Sequence, residues 1–194
     1  PEKARYILAH PELYPNIPDP RNFESFEALT TTFLPSLHGP QAKKYRRLLQ
    51  PSINGVNSEA AIAVAIDNLC ALYLNPLVGQ PVGCLGMFER AAMEVMGRSI
   101  LGMNLSGVWY GDTIVDDYRV AMSLEKNSIP DFKEHLRKAY EQHAPNGEAF
   151  LLTTLKEAVG RQEITEAEAI ELITFMFVAG QLTTSRTLAR LAYF

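Results

Sequence analysis

The segment from Phe175 to Thr187 sets an alanine, a glycine and three threonines on a run that opens strongly apolar. Helical spacing brings Met176, Ala179, Gly180, Thr183 and Thr187 to one face. A glycine in mid-helix costs about 1 kcal/mol relative to alanine, so Gly180 asks for a reason. A small residue, a glycine and a hydroxyl within one turn make a notch. A bulky flat group can approach the backbone there, and a freed carbonyl can take up a threonine hydroxyl. The chemistry of such a notch would fall to Thr183, giving or taking a proton beside the space left by Ala179 and Gly180. The same pattern also suits a core helix whose glycine lets a second helix cross closely, and both readings stand on the pattern alone.

A second group is basic: Lys43, Lys44, Arg46 and Arg47 fall within one short helical stretch, 41–50. Elsewhere the chemistry is thin. Asp116-Asp117 and Glu166/Glu168 read as solvated helix faces and caps. His10 and His38 read as ordinary surface or loop residues, and His135 and His143 stand too far apart for adjacent turns. No cysteine or histidine pair has zinc spacing. The phosphate loop, the dinucleotide fingerprint and the nucleophile elbow are all missing. Cys70 and Cys84 are too few for a disulfide scaffold and read as small buried hydrophobes in a reducing compartment.

The frame that must position these groups reads as helical throughout. A first helix is expected over 2–10, stopped by Pro11. Residues 11–40 hold Pro11, Pro15, Pro18, Pro20, Pro35 and Pro40 and read as a long irregular connection. Helices follow over 41–50 and over 58–74, the latter capped by Ser58 and apolar at Ile62, Ala65, Ile66, Leu69, Leu72 and Tyr73. A turn-rich break covers 76–86, and a helix over 88–101 ends at Gly102. One or two helices are expected in 113–143, broken near Pro130, and another over 150–159, ended by Gly160. The last helix opens on a capping box, Thr165 with Glu168. Its pattern runs from Ile164 to Phe194 without a stop signal, as expected of a piece of a longer protein. No strand or repeat is visible, so the class is all-α, one partial domain over 1–194.

Composition bounds the function. The 194 residues suit one domain, and a hydrophobic share of 47% excludes a disordered chain. A net charge of −4 argues against nucleic acid as a partner. No apolar run approaches the roughly 20 residues of a membrane span, and charges and prolines across 1–20 exclude a signal peptide there. A cytoplasmic protein is expected, with an upstream anchor left open.

Ala179-Gly180-Gln181-Leu182-Thr183-Thr184 resembles the oxygen-binding helix motif of the haem-thiolate monooxygenases, the cytochrome P-450 family, usually Ala/Gly-Gly-x-Asp/Glu-Thr-Thr. The entry Ile164-Thr165-Glu166-Ala167-Glu168 is similar to that family's start to the same helix. Gly39 to Ser52, with Arg46-Arg47 at its centre, resembles the family's third helix, usually Trp/His-x-x-x-Arg-Arg. Pro1–Tyr14 resembles the segment before the long substrate-facing loop. Phe88–Gly102 resembles a further family helix of the type Glu-Val-Met-Gly-Arg-x-x-Leu-Gly. Two positions depart from the pattern: Leu182 replaces the acid, and Ala42 the aromatic residue or histidine.

The resemblance implies an incomplete P-450 fold, a multi-helix orthogonal bundle binding haem b. The cysteine ligand would lie outside this chain, so no metal ligand is expected within it. Arg46 would turn inward to a haem propionate, since a guanidinium matches carboxylate geometry. The other cations would face outward, toward an acidic electron-transfer partner such as a ferredoxin or a flavoprotein reductase. Thr183 would serve oxygen activation, and Ala179 and Gly180 would form the oxygen groove. Phe33, Leu34, Leu37, Phe175 and Met176 would line a pocket for a small apolar substrate. Leu182 keeps open a peroxide-driven or rearrangement chemistry in the same family. A non-enzymatic all-α ligand-binding or interaction protein is the alternative of another class.

Overall fold

The computed structural model describes residues 2–10, 13, 34, 37, 39–54, 58–71, 75, 78–79, 84–101, 129–142 and 150–193. Among these residues 89% are helical and none is in a strand, so the class is all-α. The helices are α1 (Glu2–Ala9), α2 (Gly39–Asn54), α3 (Ser58–Leu69), α4 (Cys84–Met96), α5 (Ile129–Gln142), α6 (Phe150–Gly160) and α7 (Glu166–Tyr193), with a π-helical turn at Gly97–Leu101 after α4.

The centre of the fold is α7. In its first half Ala169, Ile170, Leu172, Ile173, Phe175, Met176 and Phe177 are all buried, and a helix that is apolar all round has to be enclosed. Helix α4 packs along it, and α5 and α6 close other sides. Lys133 of α5 reaches Glu171 of α7 at 2.6 Å. Helix α2 leans on α6 and inserts Tyr45, Leu48 and Leu49 into the shared core.

The joint between α6 and α7 sets the direction of the long helix. Glu163 N donates to Ala158 O and Gln162 N to Val159 O, both at 2.9 Å, while Gln162 takes a φ of 57°. This is a Schellman closure with glutamine where glycine is usual. The left-handed residue that closes α6 therefore stands two positions beyond Gly160, the last residue of the helix, which has open space around it. Helix α7 then starts at the expected capping box: Thr165 N donates to Glu168 Oε2 at 2.7 Å, and Glu168 N to Thr165 Oγ1 at 3.1 Å.

Several sequence-based expectations shift. Helix α2 is longer than 41–50 and runs on through Pro51. Helix α3 ends at Leu69, with the π-type positions 70 and 71 beyond it. It is apolar on every side while α4 covers one, so Ile62 and Ile66 stay 42% and 52% exposed. Helix α4 begins at Cys84 rather than at 88. A helix boundary does fall at Pro130, as expected: α5 begins at Ile129 and holds Pro130 in its first turn, where a proline's missing N–H has no intrahelical partner to lose. The cysteines are not buried: Cys84, first in its helix, is exposed, and Cys70 is intermediate. Asp116, Asp117, His38 and His143 lie outside the described residues.

Candidate functional site

The second half of α7 is covered on one side only. Gln181 and Ser185 are buried, whereas Ala179, Thr183, Thr184, Arg186 and Thr187 are exposed. Turns of 100° per residue place Ala179, Thr183 and Thr187 on one open stripe and Gln181 nearly opposite Ala179. Thr183 Oγ1 donates to the Ala179 carbonyl at 2.9 Å, and Thr187 Oγ1 to the Thr183 carbonyl at 2.8 Å. The side-chain proton of Thr183 is thus held by the backbone, and its oxygen keeps lone pairs to accept a hydrogen bond from outside.

Gly180 faces a different neighbour. A Cβ there would fall inside the thioether of Met96, 2.6 Å from Cε and 2.9 Å from Cγ. The groove expected of Ala179 and Gly180 together is therefore divided. Its Gly180 side takes the crossing of α4 over α7, and its open side is Ala179 with Thr183. At Gly180 itself the close helix crossing is the reading that the packing bears out.

Arg46 does not turn inward. The buried face of α2 carries Ala42, Tyr45, Leu48 and Leu49, and Arg46, one residue past Tyr45, is exposed together with Lys43 and Arg47. The basic stretch is also partly engaged. Lys44 Nζ lies 3.2 Å from Glu168 Oε1, and an Arg47 guanidinium nitrogen 3.1 Å from Glu163 Oε2. Among the described residues no ion pair is formed by Lys43 or Arg46.

Of the expected pocket residues, Phe175 and Met176 belong to the core cluster, and Leu34 and Leu37 pack against it. Four of the five thus meet in one apolar region. Phe33 lies outside the described residues.

No family model, curated protein or solved structure matches the chain. The site must therefore be read from its own residues. Among the described residues no group of three or more His, Cys, Asp or Glu side chains is arranged to hold a metal ion, and no helix is long and apolar enough to cross a membrane. Ala179 and Thr183 give a low exposed step with a hydroxyl, and Arg46 offers an exposed guanidinium to a carboxylate.

Sequence reasoning missed the polar joint between α2 and the start of α7. Tyr45, fully buried, donates its hydroxyl to Glu168 Oε1, which also takes the Lys44 ammonium. Burial alone would raise the Glu168 carboxyl. The Tyr45 hydroxyl, the Thr165 backbone N–H and Lys44 outweigh it and hold the group at about 2, against an ordinary 4.5. Tyr45 moves the other way, raised by burial and by Glu168, and stays a donor.

A carboxyl lowered on folding stabilises the native state wherever it is ionised in both states. That contribution is whole above the ordinary value of 4.5 and disappears as pH falls toward about 2. Thermal melting as a function of pH is expected to show it. The wild type should lose stability through this acid window, and Glu168→Gln should start lower at neutral pH and fall less steeply. Parallel curves for the two proteins would remove Glu168 from the acid transition.

Proposed function

We propose that this chain supplies the oxygen-facing and propionate-facing helices of a haem-dependent monooxygenase of the cytochrome P-450 type, which inserts one atom of O2 into a small apolar substrate. The observation that carries the reading is the hydroxyl of Thr183 held on the Ala179 carbonyl, at an exposed step of small side chains on α7. Bound haem supplies the binding and reductive activation of dioxygen. Thr183 orients a proton toward that step, accepting a hydrogen bond at Oγ1 while its own hydrogen stays on the backbone. Ala179 keeps the step low. Gly180 serves the crossing with Met96 and so fixes the step against α4. Arg46 holds a propionate, and Lys43 is left to meet an acidic electron donor, a ferredoxin or a flavoprotein reductase. Phe175 and Met176, with Leu34 and Leu37, keep water from the apolar side.

One observation favours a second reading, peroxide-driven oxidation. The residues three and four positions from Thr183 on α7 are Ala179, Gly180, Arg186 and Thr187, and none is a carboxylate. Gln181 lies on the buried side, 2% exposed, and cannot stand in for the acid that Leu182 replaces. Peroxide arrives with its protons. Leu182→Glu is the variant that separates the two readings. Under the O2-driven reading it raises product per NAD(P)H consumed, and under the peroxide reading it changes nothing.

The reading itself is tested by reducing the full gene product and adding CO. A Soret shift of the thiolate type is expected from it and not from residues 1–194 alone. Hemin titration should show Arg46→Ala about tenfold weaker than wild type, the value of one exposed charged hydrogen bond. Absence of haem from the full product would overturn the reading in favour of a non-enzymatic helical protein.

A further inference from the structure

Helix α2 packs on α6, yet its polar side chains reach beyond α6 to the start of α7. Glu168 receives them. Its Oε2 takes the Thr165 backbone N–H and closes the first turn of α7, while its Oε1 takes the Tyr45 hydroxyl and lies 3.2 Å from the Lys44 ammonium. Lys44 also donates to the Glu163 carbonyl at 3.4 Å, and Arg47 to the Glu163 carboxylate at 3.1 Å. The corner that these contacts span contains Gln162, left-handed at φ 57°, a conformation that a residue with a Cβ adopts only at a cost.

A helix N-terminus ordinarily frays by itself, because its first N–H groups have no intrahelical partner. Here α2 opposes the fraying. Tyr45 is fully buried, and its hydroxyl accepts from Gln41 at 3.3 Å and donates to Glu168. If the first turn of α7 opened and carried Glu168 away, that buried donor would lose its acceptor, which costs more than the net value of an ordinary hydrogen bond. The restraint also acts in the other direction. A carboxylate pinned at Oε1 does not rotate freely, so Tyr45 and Lys44 keep Oε2 on the Thr165 N–H.

We infer that Glu168 couples the seating of α2 to the first turn of α7, so that the two open and close as one unit. Linkage makes the coupling reciprocal. A group that draws Lys44 away from Glu168 loosens the start of α7, and a change at Thr165 loosens α2. The coupling stands independently of the haem reading.

Amide hydrogen exchange of the 194-residue chain, followed residue by residue by NMR, tests it from both sides. Tyr45→Phe leaves every residue of the cap in place. It is expected to speed exchange of the Thr165 and Glu168 amides about tenfold, as one hydrogen bond to a charged group is lost. Thr165→Ala leaves α2 untouched and is expected to speed exchange at Leu48 and Leu49 several-fold. Leu136 and Ala139 of α5 are the reference and should keep their wild-type rates. In the double variant the melting temperature should fall by clearly less than the sum of the two single shifts, because the second substitution acts on a link already cut. Lys44→Gln is the milder variant should Tyr45→Phe fail to fold, since it leaves Tyr45 in the core, and it should speed the same α7 amides by a smaller factor. Unchanged α7 amides in the α2 variants, additive melting shifts, or equal acceleration in α5 would overturn the coupling.

Discussion

Phe177→Ala is expected to cost about 3–5 kcal/mol, because truncating a fully buried aromatic ring removes its transfer energy and leaves a cavity. Phe177 is completely buried, in the half of α7 that is enclosed on every side. Phe177 shares one core cluster with Ile173 and the leucines of α6, side chains that their helices hold in place, so the space can be filled only in part. A domain of this kind has about 5–15 kcal/mol in total, so the variant should stand near its unfolding midpoint under mild conditions. Urea unfolding followed by circular dichroism measures the loss. A change below about 1 kcal/mol would mean that α7 is not enclosed in this way.

The second large effect concerns Gly180→Leu. Helix propensity alone would favour the change by nearly 1 kcal/mol. Packing opposes it, because the very first added carbon lands in the Met96 thioether. Met96 is 7% exposed, so its thioether has to repack within the core before the full side chain can enter. Overpacking of this kind costs about 1–3 kcal/mol, and the upper end is expected here. Met96→Ala on the same background should recover more than about 1 kcal/mol relative to the sum of the single changes, the signature of contacting residues. If Gly180→Leu unfolds like wild type, the notch is open rather than crossed. Such a result would return Gly180 to the side of the flat ligand.

The parts of this fold that were legible in the sequence are the local ones. Thr165 and Glu168 announced the start of α7 because a capping box is complete within four residues. The Thr183 hydroxyl on the Ala179 carbonyl was legible for the same reason, since the two residues lie one turn apart. The end of α6 at Gly160 was legible to within a residue, whereas the left-handed residue that closes it, Gln162, was not, because glycine would have been the signal there. Arg46 was placed inward on the strength of a resemblance, although the spacing of Ala42, Tyr45, Leu48 and Leu49 already marked the other face. Met96 against Gly180 and Tyr45 on Glu168 join residues far apart in the chain. Such pairings follow from how helices stack, and no local pattern encodes them. The candidate site was readable as a list of residues, and its division into an open half and a crossed half was not.

The span of the Tyr45–Glu168 bond, 123 positions, also bears on how the protein is made. Synthesis proceeds at about 5–20 residues per second, so Tyr45, Leu48 and Leu49 wait roughly 6–25 seconds after synthesis before α7 begins to appear. During that interval the apolar face of α2 has no native partner from α7, whereas α6 and α7, joined by a short turn, emerge together. Contacts of long sequence separation form late in folding, which makes the docking of α2 a closing step. The nascent chain therefore passes through a stage in which the basic helix is translated but unseated from α7.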